Sequence, residues 1–241
     1  MVSDNFVRAF WYMSNNFGDS LNYNLLRWVF EKEPIITFNR EEDHLIMCGS
    51  IITEANKHTT VIGAGFANHG ESIDENIKVK TVRGELSRSA LNIKYAKIPI
   101  GDPALLAPKF YSPDIFRITD RVGFIPHWSD LERASLLNIH NDFHLINPLK
   151  PVDELIKDVL SCERVVSSSL HGLIIADAYK IPNAWFSFGT PIGGDGFKFQ
   201  DYYSTTERPK EISNHLAELN YFVSNYKYDL EELLWAMQSC A

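Results

Sequence analysis

The sequence predicts an α/β protein built from two Rossmann-like halves with a cleft between them. Three observations lead there. Short apolar runs alternate with amphipathic helical stretches along most of the chain. Several of those runs end at a glycine or a polar turn directly before a helix, as in parallel βαβ units. The alternation also restarts after a proline-marked stretch near the middle, Pro108 to Thr119, which reads as a linker. The predicted domains are residues 1–115 and residues 116–241, the second carrying C-terminal helices.

In order, the expected elements of the first half begin with a strand from Val7 to Tyr12. Asp19 or Ser20 then caps a helix with Leu21, Leu25, Leu26, Val29 and Phe30 on one face. Strands follow at His44–Cys48, Thr59–Gly63 and Val79–Val82. A helix is expected near Glu85–Leu91 and a strand at Ala96–Ile100. The second half predicts strands at Arg121–Ile125, Phe143–Ile146, Arg164–Val166 and Asn183–Phe188. Its helices are expected at Asp130–Ile139, Pro151–Ser161 and Leu170–Tyr179, then about Pro209–Leu219 and Leu230–Cys240.

Composition narrows the function. The chain has 241 residues, 45% of them hydrophobic and 22% charged, as in an ordinary globular protein. A formal net charge of -8 argues against a nucleic-acid partner, which calls for a basic face. The three cysteines, Cys48, Cys162 and Cys240, have no close pairing in sequence, so a reducing, cytoplasmic setting fits best. No signal-peptide core or membrane-spanning run is expected, so any lipid-linked substrate would be met at the membrane surface. No His, Asp or Glu cluster has metal-ligand spacing, and neither a metal nor another cofactor is expected.

The densest chemical signal is Ser167-Ser168-Ser169-Leu170-His171-Gly172, where a strand runs through three serines into an apolar helix. A helix N-terminus with free N–H groups and hydroxyls suits an anion, and His171 sits in its first turn. Serines that merely cap the helix give the same pattern. Val82-Arg83-Gly84 delivers an arginine at a strand end, a planar donor fork for a carboxylate or phosphate. Arg88 lies within the following helix, where pairing with a helix carboxylate is the plain reading. Gly65, in Gly63-Ala-Gly65, and Asp19, in a loop before a helix, are weaker candidates. His127 follows a strand end, and Lys198 lies in the glycine loop Gly193-Gly194-Asp195-Gly196-Phe197-Lys198-Phe199, read as a lid.

Together, Asn16-Phe-Gly-Asp19, Val61-Ile-Gly-Ala-Gly65, Val82-Arg83-Gly, Gly101-Asp-Pro-Ala-Leu-Leu106 and Ser167-Ser-Ser-Leu-His171-Gly-Leu-Ile-Ile-Ala-Asp177 resemble the polysaccharide pyruvyl transferase family. The resemblance implies a fold similar to the two-domain glycosyltransferase-B arrangement. It implies phosphoenolpyruvate as donor and a sugar diol as acceptor, in a capsule, exopolysaccharide or cell-wall glycan precursor. By motif, His171 is the candidate general acid. Arg83 and Lys198 resemble donor-holding residues, while Ser168, Ser169, Asp19, Gly65, His127 and Arg88 are further candidates for binding. The same architecture also suits a nucleotide-sugar glycosyltransferase or a non-catalytic glycan-binding protein.

Overall fold

The computed structural model describes residues 5–73, 76–91, 93–136, 143–189, 196–209 and 211–240. It contains two five-stranded parallel sheets. The first is built from β1 (Phe6–Ala9), β2 (Glu33–Ile36), β3 (His44–Ile46), β4 (Thr59–Ile62) and β5 (Lys78–Thr81), ordered β2-β1-β3-β4-β5. The second uses β6 (Val122–Ile125), β7 (His144–Leu145), β8 (Arg164–Ser167), β9 (Asn183–Phe186) and β10 (Ile212–Ser213), ordered β10-β9-β8-β6-β7. Numbered within its own half, each sheet has the order 2-1-3-4-5. That is one doubly wound topology used twice, with its switch point between the first and third strands.

Helix α1 (Phe17–Phe30) starts one turn earlier than the sequence predicts. Asn16, not Asp19 or Ser20, is the cap, and its Oδ1 accepts the Asp19 N–H at 3.1 Å. Phe17, Leu21, Leu25, Leu26 and Val29 form its buried face, and it ends at Glu31 in the left-handed region, φ 54°. Helix α5 (Val152–Leu160) buries Val152, Leu155, Ile156 and Val159 and opens with Asp153 and Glu154, which suit a helix N-terminus. Helix α6 (Leu170–Ala178) is apolar nearly all round and buried as a core helix. An apolar cluster runs through both halves, joining Val7, Leu21 and Leu25 to Leu155, Val165 and Leu173.

Shorter helices complete the fold: α2 (Glu85–Ser89), α3 (Ala107–Phe110), α4 (Leu131–Leu136) and α7 (Phe197–Tyr203). The last, α8 (Leu230–Gln238), packs on α1 and β5, and its Gln238 Nε2 donates to Val29 O at 3.2 Å. The expected boundary near residue 115 thus lies between the two sheets, but α8 returns to the first.

Two expectations are corrected, and one strand is added. The helix expected over Pro209–Leu219 is replaced by β10 and turns: Ser213 Oγ accepts the His215 N–H at 3.0 Å, a local bond that competes with a helix. Ala96–Ile100 is not a strand, because only Ile100 bridges, to Val82. β2, which carries Pro34, goes beyond those expectations. As an edge strand it tolerates a proline. Residues 137–139 of the helix expected over Asp130–Ile139, and Gly193, Gly194 and Asp195, lie outside the described residues.

Candidate active site

A cavity of about 210 Å³ is lined by residues that follow strands of both sheets. The segment after β1 lends Tyr12, Asn16, Gly18 and Asp19 to its wall, and the turn after β3 lends Gly49, Ser50 and Ile51. The second half contributes His127 and Trp128 after β6, Ser169 and His171 after β8, and Lys198 from α7. Both sheets therefore present the loops of their first and third strands, the two sides of the switch point, where open α/β sheets bind ligands.

His171 occupies the first turn of α6. Its Nε2 lies 3.1 Å from Cys48 Sγ and 3.8 Å from Asp102 Oδ2, whereas Nδ1 lies beside Gly18. Burial holds its pKa below the ordinary imidazole range. Asp102 and Asp19 oppose that effect, while Arg83 and Lys198 add to it. Cys48 is fixed through its backbone: its N–H donates to Asn22 Oδ1 at 2.9 Å and its C=O accepts from Asn22 Nδ2 at 3.1 Å. Burial pushes the Cys48 thiol well up, so it stays protonated.

Lys198 lies in the first turn of α7 rather than in the glycine loop the sequence reading placed it in. Burial, with repulsion from Arg83, lowers its pKa to about 8. His127 is pushed down to about 4, by burial and then by Lys198, so it is a neutral imidazole at pH 7. Its Nδ1 is engaged by Ser129 Oγ at 2.7 Å. Asp19 accepts from Asn16 Nδ2 at 2.8 Å and from the Ser14 hydroxyl. Ser169 is at the N-cap position of α6, makes no capping bond with its side chain, and faces the cavity.

Other sequence candidates stand behind the wall. Arg83 is fully buried, and its donors go to Asp201 Oδ2 at 2.9 Å, Ser50 Oγ at 2.6 Å and Phe66 O at 2.6 Å. It reaches the cavity only through Ser50. Gly65 makes room for that arginine, since a methyl group there would meet the guanidinium carbon at 2.6 Å. Ser168 is buried and accepts the His127 backbone N–H at 2.8 Å. Arg88 pairs with Glu85 at 2.6 Å on α2, the plain reading of that residue, and does not line the cavity. Gly172 lets Ser167 approach closely, since a methyl group there would overlap the Ser167 Oγ.

Four residues of the site were not singled out by sequence reasoning. Asp102 sits in the Gly101-Asp-Pro motif, so its signal was present without a role attached. Cys48 and Asn22 meet across 26 positions, and no local pattern marks that pair. Trp128 is half exposed on the cavity wall, and nothing in the sequence separates it from other surface aromatics.

The sequence profile described as polysaccharide pyruvyl transferase matches residues 4–189. The chain belongs to this family. It is 32% identical over 214 residues to the uncharacterized protein L143 of Acanthamoeba polyphaga mimivirus, covering 80% of this chain and 73% of that protein. It is 28% identical over 213 residues to the succinoglycan biosynthesis protein ExoV of Rhizobium meliloti (strain 1021), covering 82% of this chain and 64% of ExoV. Family membership makes the chain a transferase of the pyruvyl-transferring kind. Among the described residues, no helix is long and apolar enough to cross a membrane.

Proposed function

We propose that the protein transfers the enolpyruvyl unit of phosphoenolpyruvate to two hydroxyls of one sugar, forming a cyclic pyruvate ketal on a polysaccharide precursor. The observation that carries this reading is the convergence of His171, Lys198 and the N-terminal end of α6 on one cavity. In this reading residues 1–115 and 116–241 are two domains in a glycosyltransferase-B-like arrangement, and the cavity is the cleft between them.

Phosphoenolpyruvate brings a carboxylate, a phosphate and a nucleophilic methylene carbon. The free N–H groups of the first turn of α6, the Ser169 hydroxyl and the Lys198 ammonium supply donors for its two anionic groups. Arg83 adds fixed positive charge from behind Ser50 and orients that hydroxyl. A bound phosphate favours the protonated form of His171, offsetting the effect of burial.

His171 then gives its proton to the methylene carbon: the N–H bond breaks, a C–H bond forms, and C2 becomes electrophilic. A sugar hydroxyl adds to C2, and its proton returns to the imidazole. The second hydroxyl displaces phosphate from C2, closes the ketal, and its proton leaves with the phosphate. The overall change is one proton gained by the methylene carbon and one by the phosphate, matching the two hydroxyl protons lost.

The test is calorimetric titration with phosphoenolpyruvate, followed by phosphate release in the presence of a glycan diol. Saturable binding that weakens in Lys198→Gln, together with loss of turnover by at least about a hundredfold in His171→Ala, supports the assignment. Release of nucleotide from a nucleotide sugar, with no binding of phosphoenolpyruvate, overturns it in favour of a glycosyltransferase.

A further inference from the structure

We propose that Asp102 is a positioning residue for His171: its carboxylate holds an imidazole proton on Nε2, so that Nδ1, beside Gly18, is the nitrogen that exchanges protons with substrate. The inference rests on the reading of His171 as the proton donor.

Asp102 is fully buried in the turn after Ile100. Its Oδ1 accepts the Ala104 N–H at 2.9 Å, fixing the carboxylate plane. Its Oδ2 is buried with no hydrogen-bond partner among the described residues, and it lies 3.8 Å from His171 Nε2. A buried carboxylate oxygen left unpaired is costly, and positive charge on the facing ring nitrogen offsets that cost electrostatically, without a hydrogen bond at this distance. The protonated Cys48 thiol sits between them, 3.1 Å from Nε2 and 3.9 Å from Asp102 Oδ1, and adds no charge.

Cys48, Asp102 and His171 also have the residue types of a metal site. The 3.1 Å separation of Nε2 and Sγ is a hydrogen-bond distance. It is shorter than the roughly 3.5 Å between nitrogen and sulfur ligands implied by zinc bond lengths in a tetrahedral site. The geometry is that of a hydrogen-bonded group.

The arrangement serves both halves of the proposed cycle. With the neutral ring protonated on Nε2, the bare Nδ1 accepts a hydroxyl proton. When both nitrogens are protonated, Nδ1 donates to the methylene carbon while the Nε2 proton stays against Cys48 Sγ, 3.8 Å from the carboxylate that favours its charge. A carboxylate that fixes a histidine tautomer without itself taking up the proton is an established device in acyl-transfer enzymes. The charged and titratable groups facing the ring are Asp102, Cys48 after β3, Asp19 on α1, Lys198 on α7 and Arg83 after β5.

The experiment is nitrogen-15 NMR of histidine-labelled full-length protein, with the His171 signals identified by their loss in His171→Gln. The expected wild-type tautomer at high pH is protonated on Nε2. Asp102→Asn keeps an Oδ1 for the Ala104 N–H but removes the charge. It is expected to lower the His171 titration by about one pH unit or more, the effect of losing an opposite charge at this range. The limb of the kcat–pH profile on which activity falls as pH rises should move down with it, and Asp102→Glu should restore part of the shift. An Nδ1-protonated ring in the wild type, an unmoved titration in Asp102→Asn, or one tightly held zinc per chain overturns the proposal. These spectra require no donor, so a failure of phosphoenolpyruvate to bind sinks the earlier reading on separate grounds.

Discussion

Gly18 lies so close to His171 that a methyl group at residue 18 would overlap Nδ1 of the ring. The first turn of α1, from one half, and the first turn of α6, from the other, therefore meet at a glycine and a histidine. Gly18→Ala separates catalysis from stability. Alanine favours a helix over glycine by up to about 1 kcal/mol, so α1 itself is not weakened, but the ring must rotate out of place. The expected outcome is a fall in kcat of about a hundredfold with a melting temperature within a few degrees of wild type. Steady-state turnover and a thermal melt on the same preparation check it.

Lys198 gives a pH signature. Its ammonium is held down to about 8 by burial, so the free protein loses that charge as pH rises through this value. Affinity for phosphoenolpyruvate should accordingly weaken above about pH 8, approaching tenfold per unit. Lys198→Gln should bind weakly throughout and lack that step. Calorimetric Kd values from pH 6 to 10 check it, and an identical slope in wild type and variant would take Lys198 out of donor binding.

Much of the fold was legible because its signals are local. The spacing of Leu21, Leu25, Leu26 and Val29 marks α1, and the apolar run Arg164–Val166 before the serines marks β8. His171, His127, Asp19 and Ser169 were chosen by position at strand or helix ends and Lys198 as the lysine of a glycine loop, and the fold gathers all five on one cavity. The residues misjudged or missed depend on distant partners. Arg83 looks like a ligand clamp in sequence because its partner, Asp201, is 118 positions away. Asp102 matters through His171, which only the packing of α6 against the Pro103–Leu106 turn brings near.

The Arg83–Asp201 pair predicts a stability effect. Both side chains are buried, and Asp201 also accepts from the Ser87 N–H at 2.8 Å and the Ser87 hydroxyl at 2.6 Å. Removing one partner strands a buried charge, at a cost of about 3–5 kcal/mol. Asp201→Ala should lower the urea midpoint strongly, whereas Arg88→Ala, which breaks a partly exposed pair on α2, should move it little. Chemical denaturation of the two variants side by side tests the contrast.

Trp128 carries the prediction for the acceptor. It is 53% exposed yet lines the cavity, and its ring lies 5.6 Å from that of His127. Tyr12, 48% exposed, stands on the wall contributed by the other half, with its hydroxyl donating to Glu54 at 2.9 Å. An exposed indole beside polar groups offers an apolar face with a polar edge, the surface on which the C–H face of a sugar ring can lie. The donor's anionic groups gain nothing from such a face. Trp128→Ala should therefore raise the acceptor KM by about tenfold, equivalent to about 1.4 kcal/mol. The phosphoenolpyruvate Kd should stay unchanged, and so should the melting temperature, as for a surface substitution that leaves no cavity. Kinetics with the acceptor varied at saturating donor, set beside calorimetry with donor alone, separates the two substrates. An unchanged acceptor KM would place the sugar elsewhere on the cavity rim. Equal weakening of both substrates would show that Trp128 shapes the whole cavity through His127 rather than forming an acceptor platform.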